Sequence, residues 1–365
     1  LLGVFMKNNC LKCSFLLSCT FLGAVIGAGF ASGREIAEFF LPFGKWGILG
    51  LFTACFVLAF CFYAVTKTVA ENNIKNTYEY LEYIANPFFA KIIYIIIYAF
   101  SFVLLCAMTA GSGALFKQMF SLPYVFGALL MCTVCGVIFY RNIYGILNAN
   151  AYLAPTMVFG IIYIGIVSLS DTREVFGGFN SIAPLFVSSL VYASYNSVGI
   201  ISVFCEMGDM LGNKRTPVLS AVMSGIMLFA VSLVLFLVLL KFKDDALTLE
   251  LPLLKIAGNA SLFYTVLMFF AMLTTAVSSL FSLIKFCTNT FCTGKNTAVY
   301  ICFFAFLCSL MGFSEMVSKV YPVFGYIGLF LIVYSGVKFV FEKCNKKLKS
   351  LKMGENTQKQ AKNIK

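Results

Sequence analysis

The chain has 365 residues and a net charge of +12, and it is 61% hydrophobic but only 12% charged, with a mean hydropathy of +0.92. A soluble domain carries about 25% charged residues, so a soluble globular protein is excluded, and the apolar runs do not alternate as barrel strands must. An all-α integral membrane protein remains, because only helices or closed barrels satisfy their own backbone groups in lipid.

Runs of about 20 apolar residues each fit one crossing of the bilayer. They predict ten spans: 14–39, 45–68, 88–117, 122–140, 143–169, 184–210, 216–241, 260–286, 297–314 and 318–341. Residues 1–13 precede them as a short cytoplasmic segment. Lys7 and Lys12 before an apolar run resemble a signal peptide, but the run continues past Gly33 with no clear cleavage site, which predicts a retained first span. Residues 342–365 form a basic tail rich in lysine, including Lys343, Lys346, Lys347, Lys349 and Lys352. Beside a last span such a tail is expected to lie in the cytoplasm against anionic lipid rather than on nucleic acid. An even number of spans then puts both termini inside, in a multi-pass protein of the cell membrane.

Ten spans divide into a first repeat, 14–169, and a second, 184–341. A five-span repeat must insert its second copy upside down, which is the inverted-repeat plan of many secondary transporters. That plan predicts helix breaks near mid-membrane in spans one and six.

Span one contains Gly23, Gly27, Gly29 and Gly33 within eleven residues. Each glycine costs a helix about 1 kcal/mol against alanine, so the helix is expected to unwind there. Unwinding frees N–H groups suited to a carboxylate and carbonyls suited to a cation. Helix packing through G-x-x-x-G pairs is the plainer alternative. Span six carries Ser194, Tyr195, Asn196 and Ser197, a polar cluster at a depth where such groups face the bundle interior or a cavity. Span eight places Thr274 and Ser278, and Thr275 and Ser279, four apart on one helical face. Their hydroxyls are hard ligands suited to a small cation. Arg34, Glu35 and Glu38 end span one, and Glu206 and Asp209 end span six. These are candidates for gating or proton transfer, because the chain has no histidine.

Cys10/Cys13 and Cys132/Cys135 have C-x-x-C spacing, but the cysteines are scattered through apolar runs and read as small hydrophobes. No Ser/His or metal constellation points to an enzyme, and no nucleotide-binding motif points to ATP.

The stretch Ile26-Gly27-Ala28-Gly29-Phe30-Ala31-Ser32-Gly33-Arg34-Glu35-Ile36 resembles the opening signature of YkvI-type membrane proteins, a group resembling amino acid permeases. Ala110 to Phe116 and Asn148 to Pro155 fit the same pattern, and the resemblance runs over nearly all of 14–341. More distantly the chain is similar to the neurotransmitter:sodium symporter and amino acid–polyamine–organocation fold. Gly23, Ile26, Gly27 and Gly29 match its first-span pattern with isoleucine in place of valine, and Phe270, Ala271, Leu273, Thr274 and Thr275 match its span-eight pattern.

The resemblance implies a leucine-transporter-like fold of five plus five helices and one sodium site. Its ligands would be the carbonyls of Gly23, Ile26 and Ala271 and the hydroxyls of Thr274 and Thr275. Phe30 stands where a second sodium site would need asparagine, so one ion is expected. The resulting expectation is a cation-coupled permease for an amino acid. The solute would meet Gly27, Ala28 and Gly29 at one end and Ser194, Tyr195, Asn196 and Ser197 at the other. A proton-coupled permease using Glu35, Glu206 or Asp209, and a non-transporting receptor on the same scaffold, are the rival readings.

Overall fold

The computed structural model describes residues 10–141, 150–169, 182–205, 207, 215–291, 296–330, 333, 334 and 338. The basic tail, residues 1–9, Glu206 and Asp209 lie outside the described residues. Every described regular element is helical.

Span one is not one helix. It comprises α1 (Cys10–Val25), α2 (Ala28–Ala31) and α3 (Arg34–Phe40). A 3₁₀ turn, Leu41–Trp46, leads into α4 (Gly47–Asn72). α5 (Thr77–Ile84) is capped by Asn76, whose side chain accepts from the Glu79 N–H at 2.9 Å, while Glu79 accepts from the Lys75 N–H at 2.9 Å. α6 (Pro87–Phe120) starts with Asn86 as its cap and Pro87 in the first turn, where a proline loses no helical bond. α7 (Tyr124–Tyr140), α8 (Asn150–Leu169), α9 (Ile182–Phe204) and α10 (Thr216–Lys241) follow. Two short helices, α11 (Lys243–Thr248) and α12 (Pro252–Ile256), form a hairpin before α13 (Ser261–Phe291). α14 (Thr297–Ser309) meets α15 (Phe313–Phe330) at a 93° bend.

By length and composition, Arg34–Asn72, Pro87–Phe120, Ile182–Phe204, Thr216–Lys241 and Gly258–Thr288 are each long and apolar enough to cross a membrane, and the bent pair passes with its two arms together. Cys10–Val25, Tyr124–Tyr140 and Pro155–Ser168 are apolar but shorter. Phe52, Phe56, Phe159, Ile166, Phe303 and Phe330 stand exposed on the outside of the bundle. Such a surface suits hydrocarbon and would be an aggregation hazard in water. The chain is a multi-pass helical membrane protein.

The bundle is organised around span one. α1 packs against α8, α9 and α10, while α4 lies along α9 and α10. α6 packs along α7 and α13. The α6–α7 seam is made by small residues. Gly127 lies so close to the Ser112 carbonyl that an added Cβ would come within 2.4 Å of it, and Ser112 Oγ donates to Gly127 O at 2.9 Å. Part of the Ala110–Phe116 pattern is therefore a packing seam.

One expectation is corrected. The first break falls where the glycines predicted, but α9 runs unbroken through Ser194–Gly199. Asn196 Nδ2 donates to Tyr192 O at 3.0 Å, and Ser197 Oγ donates to Ala193 O at 2.7 Å. These polar groups are satisfied by the preceding turn of their own helix, so they give it no reason to open.

Candidate functional site

The break in span one leaves backbone groups without their helical partners. The Gly27 N–H turns to Val25 O at 2.9 Å instead of reaching Gly23 O. Regular bonding resumes only with Ala31 N to Gly27 O and Ser32 N to Ala28 O. Among the described residues, the N–H groups of Ala28, Gly29 and Phe30 therefore find no helical acceptor, and the carbonyls of Gly23, Ala24 and Ile26 find no helical donor. Gly27 is extended, at φ −83° and ψ −172°. Gly33 makes the second bend in the left-handed region, at φ +84°, which other residues enter at a cost.

These loose ends are buried. Ala28, Phe30 and Ala31 have no exposed surface. Freed backbone at membrane depth is tolerated only where protein or a cavity surrounds it. Part of that surrounding is α13, which packs on α2. From α13, the Tyr264 hydroxyl donates to Ala31 O at 2.6 Å. Nearly three turns further along α13, Thr274 and Thr275 both donate to Ala271 O, each at 3.0 Å. Each hydroxyl thus places its proton on a carbonyl of its own helix.

On the other side of the break sits Glu35. It is only 5% exposed, although charged residues almost never bury without a partner. Its carboxyl rests on Gly29 so closely that a Cβ there would fall 2.1 Å from Oε1. It lies beside the Tyr195 hydroxyl, and the rings of Tyr192 and Tyr321 both pack on Tyr195. Yet among the described residues Glu35 Oε2, Tyr192 Oη, Ser194 Oγ, Tyr195 Oη and Tyr321 Oη are all buried without a partner in hydrogen-bond geometry. The three tyrosine rings pack in sequence, with centroids 5.5 Å apart for Tyr192–Tyr195 and 5.2 Å for Tyr195–Tyr321. Tyr321 directly follows a π-helical turn, Met316–Val320; such turns are frequent at functional sites.

Arg34 does not neutralise its neighbour. Its guanidinium donates to Leu247 O at 3.0 Å and Leu249 O at 3.3 Å, and pairs with Glu38 at 3.0 Å. It therefore pins the α11–α12 hairpin over the end of span one. The Leu253 N–H bond to Ser32 O at 3.0 Å and the Gln118 Nε2 bond to Leu251 O at 3.0 Å hold the same hairpin. At the far end of the bundle the core opens into a cavity of about 430 Å³ lined by Thr77, Tyr94, Tyr98, Ser101, Ser202 and Ser282, among others. Among the described residues, the hairpin covers one end of the bundle and this cavity indents the other.

Of the residues singled out in the sequence, Gly27, Ala28 and Gly29 form the break, Glu35 rests on Gly29 and Tyr195 lies beside Glu35, while Ser194 Oγ faces Gly328. Gly23 and Ile26 leave carbonyls unpaired at the break, and the Thr274 and Thr275 hydroxyls both donate to Ala271 O on α13. Asn196 and Ser197 are satisfied within α9. Arg34 and Glu38 form the latch. Sequence reasoning missed Tyr192, Tyr264 and Tyr321. Tyr192 lies one turn before Tyr195 and could have been found by helical spacing. Nothing local marks Tyr321, which arrives from the far end of the chain.

A bundle wrapped around a broken first span, with buried polar groups at the break, defines a helical membrane protein of the leucine-transporter-like fold. MhsT, solved in complex with L-phenylalanine, shares that fold with a TM-score of 0.58 at 17% sequence identity, over 87% of each chain. The expected resemblance to YkvI also holds. The chain is 24% identical over 329 residues to YkvI, an uncharacterised membrane protein of Bacillus subtilis (strain 168), covering 87% of this chain and 93% of that one. It is 28% identical over 317 residues to YyaD, an uncharacterised protein of the same organism, covering 86% and 93%. No protein-family model matches the chain.

Proposed function

We propose that this protein is a cation-coupled secondary transporter of a small carboxylate-bearing solute, an amino acid, and not an enzyme. The observation that carries this reading is the break at Ile26–Gly27, which presents unpaired N–H groups and unpaired carbonyls side by side in the buried core. The solute carboxylate binds the N–H groups of Ala28 and Gly29, as anions bind at helix starts. A sodium ion takes the carbonyls of Gly23, Ile26 and Ala271 and the hydroxyls of Thr274 and Thr275, an all-oxygen set suited to a hard cation. The fold shared with MhsT, which was solved with an amino acid bound, supports the substrate class. The closed hairpin end and the indented opposite end fit one state of an alternating-access cycle, with the solute leaving past Ser101 and Ser202.

The test is the thermal stability of the purified protein against a panel of amino acids, in sodium and in potassium at equal ionic strength. A ligand that binds only the folded state raises the melting temperature. One amino acid should stabilise the protein, more so in sodium, and Thr275→Ala should abolish the sodium increment. A folded sample that no amino acid stabilises refutes the substrate class. One observation favours a second reading: Glu35 is a buried carboxyl with no ion-pair partner among the described residues. Equal stabilisation in both salts, together with uptake driven by a pH gradient, would select that proton-coupled permease.

A further inference from the structure

The cluster around Glu35 has a chemistry of its own. Its Oε2 and the hydroxyls of Tyr192, Tyr195 and Tyr321 are buried oxygens drawn from spans one, six and ten. Aromatic rings pack against the tyrosines. Phe39 lies 5.6 Å from Tyr192 and 5.7 Å from Tyr195, and Phe100 lies 6.2 Å from Tyr195 and 6.0 Å from Tyr321, between ring centroids. The adjacent cation, Arg34, is committed to Glu38 and to two hairpin carbonyls. So many unpartnered oxygens, one of them a carboxyl oxygen, are costly in a low-dielectric interior. An ammonium group answers every part of this site. It pairs with the carboxylate, donates to oxygens, and is attracted to the faces of aromatic rings.

We propose that Glu35, with Tyr192, Tyr195 and Tyr321, is the seat for the ammonium group of the transported solute. The assignment rests on the transporter reading above and sharpens it. Glu35 reaches the break only because position 29 has no side chain, so the ammonium seat adjoins the N–H groups of Ala28 and Gly29. Adjacent seats for the two charges select a solute that carries both on one carbon. The substrate class is therefore the α-amino acids, not amino acids whose charges sit at opposite ends of a chain. Glu35 is thus a binding residue that sets specificity.

The experiment compares full-length wild-type protein with Glu35→Gln and Tyr195→Phe in detergent, by thermal shift and by equilibrium binding. The probes are the standard L-amino acids. For each that stabilises the wild type, the amine lacking the carboxylate and the acid lacking the ammonium are added; for L-phenylalanine these are 2-phenylethylamine and 3-phenylpropionate. The wild type should bind the amino acid well above the deaminated acid. Glu35→Gln should lose about tenfold to a hundredfold in amino acid affinity, the range for a hydrogen bond to a charged group, and should narrow the gap between amino acid and deaminated acid. Tyr195→Phe keeps the ring and should show a smaller loss of the same kind, which keeps the test decisive if Glu35→Gln does not fold. Unchanged affinity in both variants overturns the assignment and leaves the transporter reading standing. A Glu35→Gln protein that keeps its amino acid affinity but loses its sodium response also overturns it, by moving Glu35 to the ion site. A wild type that binds no amino acid overturns the transporter reading itself.

Discussion

Gly29→Ala tests the geometry at the heart of the site without any ligand. The new Cβ would lie 2.1 Å from Glu35 Oε1, 2.7 Å from its Cδ and 2.8 Å from its Cγ. Ordinary contact begins near 3.4 Å, so the carboxyl must retreat by more than an ångström. It cannot do so freely, because Glu35 is nearly sealed from solvent and lies beside the buried Tyr195. Overpacking of this kind costs about 1–3 kcal/mol. Gly27→Ala is the control: a Cβ there meets nothing within 4 Å, and the extended backbone at Gly27 suits alanine. The assay is a double-mutant cycle on thermal stability in one detergent. Gly29→Ala should lower stability markedly and Gly27→Ala hardly at all. With Glu35→Ala in the background, the cost of Gly29→Ala should largely vanish, giving a coupling of about 1–2 kcal/mol, within the range for contacting residues. An equal cost in both backgrounds would falsify the placement of Glu35 against the break.

Two further outcomes follow from the same bends and latch. Gly33→Ala forces a left-handed backbone, at φ +84°, on a residue with a Cβ and sets that Cβ 3.0 and 3.1 Å from the Leu239 methyls. It should cost about 1–2 kcal/mol for the backbone alone, read as a lower melting temperature; an unchanged melting temperature would show that the second bend can relax. Arg34→Ala removes the donors to Leu247 O and Leu249 O and the partner of Glu38. Amide exchange in residues 243–256 should then quicken by about tenfold, as expected for losing charged hydrogen bonds; unchanged exchange would mean that the other contacts alone hold the hairpin.

The bilayer setting, the helical class and the break in span one were all readable along the chain, because each depends on local composition. Hydrophobic runs set the helices, and four glycines within eleven residues weaken one of them enough to open. The same logic overreached at span six. Ser194, Tyr195, Asn196 and Ser197 look like a weak point in one dimension. In three dimensions Asn196 and Ser197 bond back to Tyr192 O and Ala193 O, and the helix stays whole. A polar residue reports that it needs a partner and not where the partner lies.

Tertiary structure alone decided what the end of span one does. In the sequence, Arg34, Glu35 and Glu38 form one charged cluster. The fold separates them, because a helix turns about 100° per residue. Arg34 and Glu38, one turn apart, share the face that meets the hairpin carbonyls. Glu35 points instead to the break and to Tyr192, Tyr195 and Tyr321. Those tyrosines come from segments far along the chain, so no local pattern could bring them to a single carboxyl. Burial with Oε2 unpartnered, which sets Glu35 apart from Glu38, is a property of that assembled contact and not of residue type.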